Sequence, residues 1–150
     1  MKVPLFALAL LALPAAASAQ SAREAIVPDW HRETTEALHY APAVRAGDLL
    51  FLAGVVAGRA PGETDDVAAY TRAFEGIARV LEASGSDWDH VVEMTTYHTD
   101  LPAQIEAFAS VKDRFVQAPY PAWTAIDIDR LYPDNGLVEI KVIARVRSAE

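Results

Sequence analysis

A histidine can exchange protons near neutral pH, and the best placed in this chain is His98, in Tyr97-His98-Thr99-Asp100, where a β-branched run gives way to a helical pattern. A bond to a loop carbonyl would make the same ring purely structural. His39 directly precedes Tyr40 and could line a cleft with that phenol, whereas His31 falls in a weakly patterned stretch. Trp123, in Pro121-Ala122-Trp123-Thr124-Ala125, offers an indole face to an apolar or cationic ligand, or simply plugs space. Glu139 shares one side of the last strand with Lys141 and Arg145, either of which could pair with it. The four histidines and the many carboxylates show no ligand spacing, so no metal is expected. No glycine-rich phosphate loop, no Gly-x-Ser-x-Gly elbow and no internal repeat is present.

These residues have to be positioned by strands and helices. Tyr40 to Arg45 and Leu49 to Gly54, around Ala46-Gly47-Asp48, read as a hairpin, and Gly58 to Gly62 as a loop. Asp65-Asp66 start a helix in which Val67, Tyr70, Phe74, Ile77 and Leu81 form one apolar stripe, and Gly85 ends it. Val91 to Thr99 reads as a strand. Asp100-Leu-Pro102 then opens a second helix with Ile105, Phe108, Ala109 and Phe115 on one side, closed off by Pro119 and Pro121. Along the final strand Val138, Ile140, Val142, Ala144 and Val146 point one way, and Glu139, Lys141, Ile143 and Arg145 the other. In the preceding strand Trp123, Ala125, Asp127 and Asp129 oppose Ile126 and Ile128, and we place Trp123 on the Glu139 side. Two helices cover one face of a sheet of about six strands, so that side needs water or another subunit.

The chain has 150 residues, about half of them apolar, enough for one core and one domain. Met1-Lys2, the apolar run Leu5 to Leu13 and Ala17-Ser18-Ala19 have the form of a secretory signal peptide, residues 1–19, cleaved between Ala19 and Gln20. The apolar run holds Pro4 and Pro14 and is shorter than the roughly 20 residues that span a bilayer, so no stable membrane association is expected after cleavage. Residues 20–39 form a polar lead-in, irregular or with a short edge strand. With no cysteine, there is no disulfide framework, catalytic thiol or Cys-ligated zinc, which suits a periplasmic or secreted protein held by its core and partners. A net charge of −8 disfavours nucleic acid and anionic lipid.

Pro121-Ala-Trp-Thr-Ala125, Leu137-Val-Glu-Ile-Lys-Val-Ile-Ala-Arg145 and Tyr40-Ala-Pro-Ala-Val-Arg-Ala-Gly-Asp-Leu-Leu-Phe-Leu-Ala-Gly54 together resemble the Rid superfamily of reactive intermediate deaminases, over residues 40–146. That resemblance implies a Rid/chorismate-mutase-like α+β fold, a mixed sheet with two helices on one face, and a homotrimer with small-molecule clefts between subunits. It implies no cofactor. By the same resemblance Glu139 is the carboxylate that orients the hydrolytic water, and Tyr40 stands at the mouth of the site. The usual Pro-Ala-Arg-Ser/Thr motif puts an arginine where this chain has Trp123, and an indole cannot grip a carboxylate as a guanidinium does. Arg45, Arg130 and Arg145 are the candidate replacements. Ala53-Gly54-Val55 stands where the family commonly has Ser-Gly-Gln, which makes the pocket more apolar. His98-Thr99-Asp100 with Pro-x-Trp-Thr-Ala resembles a subgroup lacking the arginine. The expected site is therefore Glu139 and Tyr40 for catalysis, with Trp123, His98, His39 and Thr124 for binding. The expected activity is hydrolytic deamination of an enamine or imine other than a simple 2-imino acid, the alternative being a non-catalytic binder of an aromatic or cationic metabolite. Ribonuclease labels attach to parts of this superfamily, but the chain shows no basic stripe with interleaved aromatics.

Overall fold

The computed structural model describes residues 23–147, and the expected signal peptide at residues 1–19 lies outside them. In chain order the elements are β1 (Glu24–Ile26), α1 (Arg32–Leu38), β2 (Ala43–Ala46), β3 (Leu49–Leu52), β4 (Val55–Gly58), α2 (Asp66–Ala83), β5 (Val91–His98), α3 (Leu101–Lys112), β6 (Ala122–Asp127) and β7 (Gly136–Arg145). The strands form one mixed sheet in the order β1-β2-β3-β7-β5-β6, with β4 also paired to β7.

The hairpin of β2 and β3 turns at Gly47, whose φ of +64° lies in the left-handed region open to glycine. One strand more than expected is present, because the chain breaks at Ala53-Gly54 and resumes as β4. Thus β3 pairs with the C-terminal half of β7 and β4 with its N-terminal half. The lead-in supplies the short edge strand β1 and also α1, a helix of seven residues whose polar sequence carries no apolar stripe to reveal it.

Helix α2 begins where the Asp65 carboxylate accepts the Val67 N–H at 2.9 Å, and the chain turns away at Gly85 with φ +75°. Tyr70, Phe74, Ile77 and Leu81 are buried along it as the spacing predicts. In α3 the buried positions are Gln104, Phe108 and Val111 instead of Ile105, Phe108 and Ala109. Gln104 replaces an apolar residue there because its amide is satisfied: it donates to Thr99 Oγ1 at 3.1 Å and accepts the Asp100 N–H at 3.4 Å. Phe115 lies past the end of the helix and packs against the core.

Strands β5 and β6 are parallel, with α3 as the crossover between them, and this connection decides which side of the sheet is covered. Met94, Thr96 and His98 of β5 and Val138, Ile140 and Val142 of β7 are buried beneath the helices. Register then fixes β6. Trp123 pairs with Met94, Thr124 with Thr95 and Ile126 with Tyr97, so Trp123 lies on the helix-covered side. Glu139 pairs with Tyr97 and lies on the open side with Thr124 and Ile126. The expectation that Trp123 and Glu139 share a face is corrected: the two subsets of β6 are as read, but their sides are reversed.

Candidate functional site

On the open side the chain passes so close to Glu139 that a side chain at position 54 would fit only if the carboxylate moved. A Cβ built there would meet Glu139 Oε1 at 1.7 Å and Cδ at 2.6 Å. The carboxylate thus occupies the space a side chain would fill at the β3–β4 break. Among the described residues Glu139 has no hydrogen-bond or ion-pair partner, so the pairings open to it in the sequence are not made. Arg145 instead faces Asp48 at 3.5 Å. A carboxylate left without an internal partner on a partly buried face is free to accept a proton from a ligand or a water. Beside it, Phe51, Glu93, Thr95, Tyr97, Lys141 and Ile143 line a cavity of about 220 Å³.

Tyr40 comes to the same end of the hairpin. Pro42 C=O accepts the Ala53 N–H at 2.9 Å, which ties the segment after Tyr40 to the glycine under Glu139. The Tyr40 hydroxyl makes a long contact of 3.5 Å with His31 Nδ1, the rings meeting edge to face. His39 caps α1 in the left-handed conformation, φ +54°, with its N–H on Thr35 C=O at 2.8 Å. His39 and Tyr40 line a cavity of about 450 Å³ together with Arg23, Ala25, Thr35 and Val44, where the buried Thr35 hydroxyl has no hydrogen-bond partner.

On the covered side, three groups meet at one hydroxyl. Trp123 Nε1–H donates to Thr96 Oγ1 at 3.1 Å, and His98 Nε2 lies 2.9 Å from the same oxygen. Thr96 and His98 are fully buried, and Trp123 is 37% exposed at the sheet edge. Phe108 packs edge-on against the His98 ring at 5.0 Å and lies 6.1 Å from the indole. Burial holds the His98 pKa below its usual value, against opposing effects of Gln104 and the Asp127 charge. Gln104 is already committed to Thr99 and Asp100, and His98 Nδ1 has no hydrogen-bond partner. His98 is therefore a neutral core histidine on the side away from Glu139. The candidate arginines are committed too: Arg45 to Gly47 C=O at 3.0 Å, Arg130 to Asp134 at 2.6 Å, and Arg145 toward Asp48.

The structure thus gathers Glu139, Thr124 and Tyr97 on the open side, Tyr40 and His39 at the hairpin end, and Trp123 with His98 under the helices. Thr96 and Lys112 escaped the sequence reading, as did the close approach of Gly54 to Glu139. Thr96 was within its reach, since it lies two residues before His98 and so on the same side of a strand. Lys112 follows Phe108 by one helical turn. Among the described residues no group of three or more His, Asp or Glu side chains is arranged to hold a metal ion, and no helix is long and apolar enough to cross a membrane.

A sequence profile of the family described as Endoribonuclease L-PSP matches residues 32–146. The RutC family protein YjgH of Escherichia coli is 36% identical over 127 residues, covering 83% of this chain and 95% of that protein. A solved structure of a protein YjgH superimposes with a TM-score of 0.73 at 35% identity, over 85% of this chain and 99% of the other. Rv2704 of Mycobacterium tuberculosis, a solved member of the YjgF/YER057c/UK114 family, gives 0.70 at 26% identity, over 83% and 99%. The chloroplastic Reactive Intermediate Deaminase A of Arabidopsis thaliana is 31% identical over 110 residues, 70% of this chain and 57% of that protein. With the profile spanning most of the described residues and YjgH aligned along almost its whole length, the chain belongs to the Rid superfamily.

Proposed function

We propose that this protein is an exported homotrimer that hydrolytically deaminates an enamine or imine other than a simple 2-imino acid, in clefts between its subunits. The observation that carries the reading is the unpartnered Glu139 carboxylate over Gly54, beside an open cavity and at the end of the hairpin that also brings Tyr40. Glu139 takes a proton from a water as its oxygen bonds to the imine carbon and passes that proton to nitrogen, giving a carbinolamine; the carboxylate then carries the carbinolamine hydroxyl proton to nitrogen as the C–N bond breaks, so that ammonia leaves and a carbonyl product remains. Tyr40 holds the polar end of the ligand. Trp123 and Glu139 lie on opposite sides of one sheet, so a cleft lined by both takes them from two neighbouring subunits. Phe51, Val92 and Ile126, each about 40% exposed in the single chain, are the surface that such an assembly would cover. The similarity to a protein named Reactive Intermediate Deaminase A supports the reaction class. Residues 1–19, with the form of a signal peptide, support a periplasmic or secreted location. A non-catalytic binder of a cationic metabolite has less support, because the Lys112 ammonium already lies 5.1 Å from the Trp123 ring centroid.

The test is ammonia release from freshly generated enamines and imines of graded bulk by the chain from Gln20 onward. Glu139→Gln should reduce kcat/KM by about a hundredfold or more. Undiminished turnover in that variant would sink the mechanism. Sedimentation should show three copies per particle, dissociating in Phe51→Asp, and a lasting monomer at tens of micromolar would remove the inter-subunit cleft.

A further inference from the structure

Where α3 ends beside the start of β6, a cavity of about 190 Å³ is lined by Met94, Lys112, Asp113, Val116, Tyr120, Pro121 and Trp123. Its walls are mostly apolar and aromatic, with one cation, Lys112, and one carboxylate, Asp113, among them. The Lys112 side chain is only 11% exposed, and its ammonium lies 5.1 Å from the Trp123 ring centroid, within cation–π range. The indole is not free to swing. Its N–H is bonded to buried Thr96, and Phe108 packs near the ring. The one anion at hand, Asp113, pairs with Lys112 but is 66% exposed, and a pair with so wet a partner contributes little to stability. An incoming carboxylate could take its place at the ammonium, while the rest of the ligand displaces water from Met94, Val116 and Trp123. The cavity is smaller than those that hold drug-sized molecules, so the ligand must be small.

We infer that this cavity binds a small carboxylate with an apolar body, in which Lys112 pairs with the carboxylate and the fixed Trp123 ring packs against the body. The inference deepens the proposed function, resting on it only for the idea that this ligand is the substrate. The anionic grip comes from α3, not from β6 or from any of Arg45, Arg130 and Arg145.

Phenylacetate is the probe, with 2-phenylethanol as a neutral counterpart, each titrated into the chain from Gln20 onward by calorimetry. Phenylacetate should bind at least tenfold more tightly than 2-phenylethanol. Lys112→Gln should remove that preference, Lys112→Arg should retain most of it, and Asp113→Asn should tighten phenylacetate several-fold. Equal binding of the two probes, absence of phenylacetate binding at millimolar concentration, or indifference to Lys112→Gln would overturn the inference. Glu139→Gln separates the two ideas. Phenylacetate binding that is unchanged by it, while the unmodified protein releases no ammonia from any imine, would defeat the catalytic reading and leave this site standing. Turnover lost in Glu139→Gln, in a protein that binds phenylacetate no more tightly than 2-phenylethanol, would do the reverse.

Discussion

Thr96 and Tyr97 are neighbours in β5, yet they belong to different environments. Thr96 faces the helices, where its hydroxyl joins the Trp123 indole and the His98 imidazole beneath Phe108. Tyr97 faces outward beside Glu139, with a cavity and exposed apolar side chains around it. On the covered side the Trp123 N–H and His98 Nε2 are both spent on the Thr96 hydroxyl, which fixes their geometry, and His98 Nδ1 is enclosed without a hydrogen-bond partner. On the open side a carboxylate is left unpartnered, which costs stability in isolation and suits it to chemistry or assembly. The contrast shows how one strand can serve both purposes: the two-residue period separates the rigid set from the reactive set with no loop between them.

Changes on the covered side should cost stability, and changes on the open side should mainly cost activity. The largest expected effect is Phe108→Ala, which removes a fully buried ring that touches both His98 and Tyr70 and should lower the unfolding free energy by about 3–5 kcal/mol in denaturant titration. Thr96→Val keeps the shape but leaves the Trp123 N–H and His98 Nε2 unpartnered, for a loss of about 1–3 kcal/mol and a change in the Trp123 indole N–H resonance. No loss would mean that the three groups are not coupled.

Gly54→Ala should cost about 1–3 kcal/mol and displace Glu139, because the new Cβ overlaps the carboxylate. Combining it with Glu139→Ala should recover part of that stability without restoring turnover, and additive losses would contradict the contact. The pH response of His98 sharpens the comparison further. Its folded pKa lies below the usual 6.5, so below about that pH the unfolded chain takes up a proton that the folded chain resists. Stability should therefore fall on acidification through this range, with a limiting slope of about 1.4 kcal/mol per pH unit, and His98→Gln should flatten it. Smallest of all, Asp48→Asn at the exposed pair with Arg145 should change stability by less than about 0.5 kcal/mol.

Much of this was legible in the chain because it depends on local periodicity. The α2 stripe, its start at Asp65 and its stop at Gly85, the hairpin around Gly47 and the division of β7 into core and non-core residues all follow from spacing within one element. The polar α1 was not legible, having no apolar stripe, nor was the role of Gln104, whose burial depends on partners at Thr99 and Asp100. The candidate site was legible as a set of residues but not as an arrangement.

Alternation along β6 by itself determined that Trp123 and Ile126 point to opposite sides, and alternation along β7 that Glu139 opposes Ile140. Only the tertiary structure decided which side of β6 matches which side of β7. That match is set by the parallel register of β5 with β6 and by the crossover that lays α3 over one face, and a strand's own sequence carries no record of its partner's register. The same crossover brought Lys112 to Trp123, and the pairing of β3 and β4 with β7 left Glu139 over Gly54, two contacts that no spacing within a single element could have disclosed.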